Sequence, residues 1–430
     1  AVLRRPPDEE IEPRIVVTLG TLSNQVDYQK HAAVFNQANT KYYVRVVDYI
    51  ARRTEGGNTL EEDVLAGLTP DVVCNSSFGS NANLTGKNVF VDLNEYIDAD
   101  PALRDSLLSS VRRYCTTDGK LYQLASYTYL TGLAGIAENL PAVEDWTLDA
   151  YLRLADECEA RGISLSSTTW RESLEMTLLY NNLQSFIDED GARCSFDSEL
   201  FLKTVEYLKT VPARENYVSL PMADRIKGFR DGTIPLDNGF LITSFADILN
   251  LNFRFSGDGV LLGSPTPAGG KLYMSLQNTY MIASDSSVKE GAWAFVRYML
   301  VNGLGADTSG FPAYKPLIEK LAKEAKSKYY LFGYDGTKST LSSDPRIVPS
   351  SNYDPQRQTL LRLSDEDIES VMALLEERQH NVGSTRGADK VAKELIAEEL
   401  AAFYAGNISA EEAARRIQSR VSIYLAEKAG

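Results

Sequence analysis

Side-chain chemistry at neutral pH usually draws on histidine, cysteine or a matched pair of carboxylates, and this chain is sparing with the first two. It has two histidines, His31 in a helical stretch and His380 in ERQHNVGS, which reads as a loop. A lone histidine on a helix is more often a surface or packing residue than a catalyst. The four cysteines, Cys74, Cys115, Cys158 and Cys194, are far apart, with no CxxC and no Cys/His cluster, so a zinc site is not expected and free, mostly buried thiols are, with a disulfide as the alternative. There is no G-x-S-x-G elbow, no H-E-x-x-H and no phosphate-cradling P-loop, and the glycines of Gly257–Gly263 and Gly303–Gly310 miss the dinucleotide spacing. The run Asp188–Gly191 opens like a calcium loop and would put Glu199 at its twelfth position, but the glycine comes too early. A hairpin turn at Asp190-Gly191 is the expectation. No metal and no cofactor are predicted.

What recurs instead is a polar or aromatic residue just past a strand. TLGTLSNQ places Ser23 and Asn24 after the first strand; VVCNSSFGSN places Asn75, Ser77 and Phe78 after the third. KLYQLASYTYLTGLAG carries Tyr127 and Tyr129; NGFLITSFAD offers Phe240, Ser244 and Phe245; SLQNTYMIA offers Gln277 and Asn278; SGFPAYKP offers Gly310 and Phe311. Ligands of parallel sheets sit beyond the carboxyl ends of the strands. Aromatic faces with hydroxyl and amide neighbours suit a sugar, whose C–H face stacks and whose hydroxyls are bonded. Any one of these positions is equally a turn or packing residue; the repetition carries the reading.

The elements that would position them follow from periodicity. Residues 1–13 read as a flexible leader. Strands at Arg14–Gly20, Tyr42–Tyr49 and Pro70–Asn75 alternate with helices at 27–38 and 58–67, the second capped by Asn58 and stopped by Gly67; this is the βαβαβ order of a parallel sheet. Helices are expected over Asp145–Ala160, Trp170–Phe186, Glu199–Lys209 and Met222–Asp231, and a strand over Tyr273–Ala283. A capping box of Ser287 and Glu290 would open a helix at Val288–Leu300, residues 333–358 read as loop, and three helices close the chain, the last behind Ser409 and Glu412.

The 430 residues exceed one small core. With 43% hydrophobic and 24% charged residues the composition is that of a soluble globular protein, and no apolar run approaches the ~20 residues that span a bilayer. Lys+Arg is 44 against Asp+Glu 59, a formal charge of −15 with no basic run, which argues against nucleic acid and for a ligand of little charge. The chain starts at Ala1, so removal of a targeting segment is expected.

Several segments, in order, resemble the bacterial extracellular solute-binding proteins of ABC importers, family 1, in the sugar-binding branch. VDYQKHAAVFNQANTKYYVRVVDY is similar to that family's first helix and second strand, DVLAGLTPDVV to its short helix and "PD" strand, and DGKLYQLASYTYLTGLAGIAENL to its first domain crossover. DWTLDAYLRLADE, SVKEGAWAFVRYML and the C-terminal ELIAEELAAFYAGNISAEEAARRIQSRVSIYLAE continue the likeness. The resemblance implies an α/β fold of two periplasmic-binding-protein-like lobes, each a mixed sheet flanked by helices, with the ligand in a cleft at the hinge. The lobes would be 14–125 plus 264–307 and 126–263 plus 308–430. It implies a monomeric receptor outside the membrane, periplasmic or a lipid-anchored surface protein whose anchor lies outside this chain. Such a receptor passes a carbohydrate, here expected to be an oligosaccharide, to permease subunits. The expected contacts are Ser23, Asn24, Asn75, Ser77, Phe78, Tyr127, Tyr129, Trp170, Phe240, Ser244, Phe245, Gln277, Asn278, Gly310 and Phe311. Trp170 is the first choice as stacking platform, with a packed helix-start residue as its alternative. Three rivals remain: the same scaffold holding a peptide or other polar solute, a glycoside hydrolase, which needs only carboxylates, and a sensor accessory without transport, which differs only in its membrane partner.

Overall fold

Valine-rich stretches punctuated by glycine, proline and capped helices build the first half of the chain, and the computed structural model shows how they pair. It describes residues 13–22, 26–77, 89–117, 119–166, 170–188, 193–305, 309–341, 357–376, 380–381 and 387–429. The chain forms two compact units, Ala1–Tyr129 with Leu276–Leu321, and Leu130–Ser275 with Ala322–Gly430.

In unit 1 the strand Ile15–Thr21 lies parallel to Tyr42–Asp48 on one side and to Val72–Ser77 on the other, as the βαβαβ pattern requires. Tyr273–Ile282 then runs antiparallel to Val72–Ser77, with Cys74 opposite Tyr280 and Asn75 opposite Thr279. Beyond it lie the start of the long strand Leu124–Ile136 and the short strand Phe311–Pro312, which pairs with Thr128 and Tyr127. The helix Tyr28–Ala38 begins at Asp27, whose carboxylate accepts from Lys30 N, and buries Tyr28, Ala32 and Phe35. Phe35 meets Phe295 of the helix Lys289–Asn302 edge to face at 5.3 Å. Gly291 lets that helix approach the sheet: a Cβ there would stand 2.6 Å from the Tyr42 ring and 2.8 Å from Val17. Asp71 joins sheet and helix, accepting from Thr18 N at 2.8 Å, Thr18 Oγ1 at 2.7 Å and Ser286 Oγ at 2.7 Å.

In unit 2 the rest of Leu124–Ile136 pairs antiparallel with Leu236–Ile242 and Gly259–Leu261. Helices enclose a core that includes Trp146, Tyr151, Leu178, Phe186, Phe196, Phe201, Leu208, Ile396, Ile417 and Val421. The last two helices, Gly387–Tyr404 and Ala410–Ala429, are cross-linked by Arg420 to Glu398 and Glu399, and Gln418 bonds the backbone of Cys194 and Phe196. All four cysteines are free thiols.

Five expectations need correction. The helix Leu60–Leu65 is capped by Thr59, which forms the box with Glu62, while Asn58 donates to Asp63 at 2.8 Å. The helix Lys289–Asn302 has no side-chain cap; Ser286 Oγ instead takes the Val288 N–H. The stretch 170–186 is not one α-helix: Arg171–Leu174 passes into a π-helix, Glu175–Leu179, and a 3-10 segment, Tyr180–Ser185. Finally, the region read as loop contributes Lys338–Leu341 to a three-stranded antiparallel sheet with Tyr329–Gly333 and Gln358–Leu361. Phe332 of that sheet stacks on Phe253 at 5.4 Å, and Arg230 lies 4.8 Å from the Phe253 ring and 4.9 Å from that of Tyr334. His380 falls in a short strand, His380–Asn381, parallel to Tyr273–Met274.

Candidate functional site

Unit 1 gathers most of its expected residues on four neighbouring strands. Gly310 and Phe311 lie against Thr128 and Tyr127; Gly310 sits at φ 108°, where a Cβ would meet Thr128 O at 2.7 Å. Tyr129 is half-buried beside Gly310, its own Cβ 3.8 Å from where a Cβ on Gly310 would stand. Tyr127 and Phe311 are buried, and the Tyr127 hydroxyl accepts the Leu304 N–H at 3.0 Å. One strand further on, Gln277 pairs with Ser77, and Asn75 stands opposite Thr279. Gln277 is half-buried; Asn75, Asn278 and Thr279 are buried. The Thr279 hydroxyl has no hydrogen-bond partner among the described residues. Alternation along a strand puts Asn75, Gln277 and Thr279 on one sheet face and Cys74, Asn278 and Tyr280 on the other. Ser23, Asn24 and Phe78 lie outside the described residues.

The unit 2 residues fall in two places. Phe240 and Phe245 are buried, with the Arg254 guanidinium 5.3 Å from the Phe240 ring centroid. Ser244 donates from both N and Oγ to Asp247 Oδ2, at 2.9 and 3.1 Å, opening the helix Ala246–Arg254; Lys338 holds the other oxygen at 2.9 Å. Trp170 stands apart from this strand, half-buried at the start of the helix Arg171–Leu174. Its ring leans on Tyr217, centroids 5.5 Å apart and planes at 48°, and the Arg214 guanidinium lies 5.6 Å from it. The segment carrying Tyr217 is braced against the Trp170 helix: Arg171 N donates to Pro212 O at 2.9 Å, and Arg214 N to Glu172 Oε2 at 3.0 Å. Tyr217, Arg214 and Thr279 escaped the sequence reading. Only the strand position of Thr279, two residues past Gln277, would have marked it.

The π-helix below Trp170 holds one perturbed acid. Burial raises the Glu175 carboxyl above the ordinary range, offset in part by the Tyr404 hydroxyl; Glu172 adds to the rise and Arg171 opposes it. Arg171 lies 4.4 Å from the Tyr404 ring and Lys393 5.9 Å from that of Tyr180. Between its unfolded and raised folded values, the folded chain holds more protons at Glu175 than the unfolded chain. Stability therefore falls as pH rises through that interval. Glu175→Gln is expected to remove the fall. In urea titrations from pH 4 to 8 the variant should be more stable than the parent at pH 7, with the gap closing in acid; a constant gap would contradict this origin.

Among the described residues no cluster of histidine, cysteine and carboxylate could hold a metal ion, and no helix is long and apolar enough to cross a membrane. The fold matches known structures. The sugar-binding protein MalE of Xanthomonas citri superposes with a TM-score of 0.56 at 14% identity, covering 96% of this chain and 98% of its own. The extracellular solute-binding protein family 1 member of Alicyclobacillus acidocaldarius gives 0.53 at 13%, over 96% and 99%. The cyclic α-maltosyl-1,6-maltose binding protein of Arthrobacter globiformis gives 0.53 at 13%, over 96% and 100%. The chain has the solute-binding-protein fold. No protein-family model matches its sequence, and no curated protein does. The solute-binding fold accounts for the mixed sheets and for a chain that passes between its two units three times, at 129/130, 275/276 and 321/322.

Proposed function

We propose that this protein is the extracellular receptor of an ABC importer, capturing a carbohydrate and delivering it to membrane permease subunits without chemical turnover. The observation that carries the reading is the set of amide, hydroxyl and aromatic side chains on adjacent strands of unit 1: Asn75, Gln277, Thr279 and Tyr129. Amides and hydroxyls match sugar hydroxyls as both donors and acceptors, and they do so without fixed charge. Two of the three similar structures are described as binding sugars, which supports the same ligand class here. Trp170 supplies the flat apolar surface on unit 2, with Tyr217 fixing its tilt. We place the protein outside the cell, held at the membrane by a lipid anchor and acting as a monomer.

Calorimetry against a panel of neutral mono- and oligosaccharides tests the proposal. A saturable heat with one class of glycan is expected, and silence across the panel would overturn the sugar assignment. Mass spectrometry of solute carried through purification distinguishes a peptide ligand, and released reducing ends would indicate a hydrolase. For the glycan that binds, Trp170→Ala is expected to weaken affinity by about 2 kcal/mol, roughly thirtyfold in Kd. An unchanged Kd would assign Trp170 to packing alone.

A further inference from the structure

Asn278 is one of two non-glycine residues with a positive φ among those described, at φ 52°, and it stands inside a strand. The register of Tyr273–Ile282 with Val72–Ser77 is regular on both sides of it, from Ser77 opposite Gln277 to Val72 opposite Ile282. The left-handed conformation costs a residue with a Cβ free energy, and it persists where the surroundings hold it. Here the surroundings are specific. The Tyr28 hydroxyl donates to Asn278 Oδ1 at 3.2 Å, and the Ser126 hydroxyl donates to Asn278 O at 3.2 Å. Tyr28 also meets Cys74 Sγ at 2.8 Å. With Tyr28 donating to the amide, the thiol donates to Tyr28, giving a chain from Cys74 through Tyr28 to Asn278. Burial pushes the Cys74 thiol up to about 12 and raises the Tyr28 hydroxyl well above its ordinary value, so both keep their protons and remain donors at neutral pH. Tyr28, Cys74, Ser126 and Asn278 are all buried.

We propose that Tyr28 is a positioning residue: its bond to Asn278 Oδ1 holds Asn278 in the left-handed conformation and so sets the direction in which Gln277 and Thr279 leave the strand. The inference rests on the receptor reading for its purpose, since the half-buried Gln277 is the polar group offered to ligand and Thr279 lies buried beside it. Its geometry does not depend on that reading. Ser126 acts in the same way on the backbone, fixing the peptide plane that follows Asn278. Tyr28 itself touches no ligand.

The test is a double-mutant cycle on the whole chain, because glycine adopts positive φ without help. Tyr28→Phe is expected to lower the folding equilibrium constant about fivefold to thirtyfold in urea titration. In an Asn278→Gly background the same change should have less than about a third of that effect, because no strained side chain remains to be held. Equal losses in both backgrounds would make Tyr28 a packing residue and overturn the proposal. Calorimetry with the glycan selected from the panel gives the second arm. Asn278→Gly should bind within about twofold of the parent, while Asn278→Ala and Tyr28→Phe should each weaken binding about tenfold. Equal weakening by Asn278→Gly and Asn278→Ala would also overturn it. If the parent bound no glycan, the receptor reading would fail, and the urea cycle would still decide the role of Tyr28.

Discussion

Asp237→Ala is expected to destabilise unit 2 by about 3–5 kcal/mol. Asp237 sits near the start of the strand Leu236–Ile242, opposite Ala134, with its side chain 2% exposed. It accepts from Arg254 and, at 3.5 Å, from Arg225, whose side chains are 16% and 13% exposed. Removing the carboxylate leaves two guanidinium groups facing one another away from water. Arg225 already shows the cost: burial lowers its proton affinity, Asp237 offsets part of that, and Arg254 adds to it. Urea unfolding at neutral pH measures the loss, and a change below about 1 kcal/mol would mean that water reaches the cluster and screens it. Replacing all three residues with apolar ones of similar volume should recover most of the loss, because the penalty comes from the unpaired charges.

Trp146→Ala is expected to cost about as much, ~3–5 kcal/mol, by a different route. The indole is fully buried, packs on Tyr151 with centroids 5.8 Å apart, and donates from Nε1 to Gly263 O at 3.2 Å. Two backbone bonds fasten the segment around it to the same loop: Gly270 N donates to Val143 O at 2.6 Å and Thr266 N to Trp146 O at 3.3 Å. Gly270 brings the loop backbone close on this side: a Cβ there would fall 1.9 Å from Leu262 O and 3.1 Å from Trp146 Cδ1. Trp146→Phe should cost less, since it keeps most of the ring and loses chiefly the bond to Gly263 O, worth roughly 1–2 kcal/mol. Thermal and urea midpoints of the two variants test the order, and equal losses would show that the hydrogen bond, not the volume, dominates.

The helices and strands with strong periodicity were legible in the sequence. The helix Met222–Asp231 falls where expected, and Ile187 pairs antiparallel with Cys194, while the turn expected at Asp190-Gly191 lies outside the described residues. The misreadings have local causes. At residues 58–62 two capping residues stand side by side, and only tertiary contact decides between them: Asp63 takes Asn58, along with Tyr49 and Arg52, and leaves the cap to Thr59. At 170–186 the apolar spacing is helical throughout, and the departure into a π-helix leaves no compositional mark. The strand Lys338–Leu341 is polar and exposed, with no alternation to detect, because it lies at the edge of its small sheet. For the site, the strand-end rule named Asn75, Gln277 and Tyr129 together with Tyr127 and Phe311. Strand position alone does not reveal burial: Gln277 and Tyr129 are half-buried, while Asn75, Tyr127 and Phe311 are buried. Nor could it see Tyr28 behind Asn278, a partner 250 residues away in sequence.

The position of Tyr273–Ile282 also bears on how the protein is made. It lies between Val72–Ser77 and Leu124–Ile136, both of which leave the ribosome long before it does. At ~5–20 residues per second, the nascent chain spends roughly 7–30 s with those two strands completed and the slot between them vacant. Val72, Val73 and Leu124, all fully covered in the finished molecule, are then uncovered on open edges. Through that interval the growing polypeptide is exposed to mispairing and to neighbouring chains, so its yield in a cell should depend on translation speed and on chaperone supply.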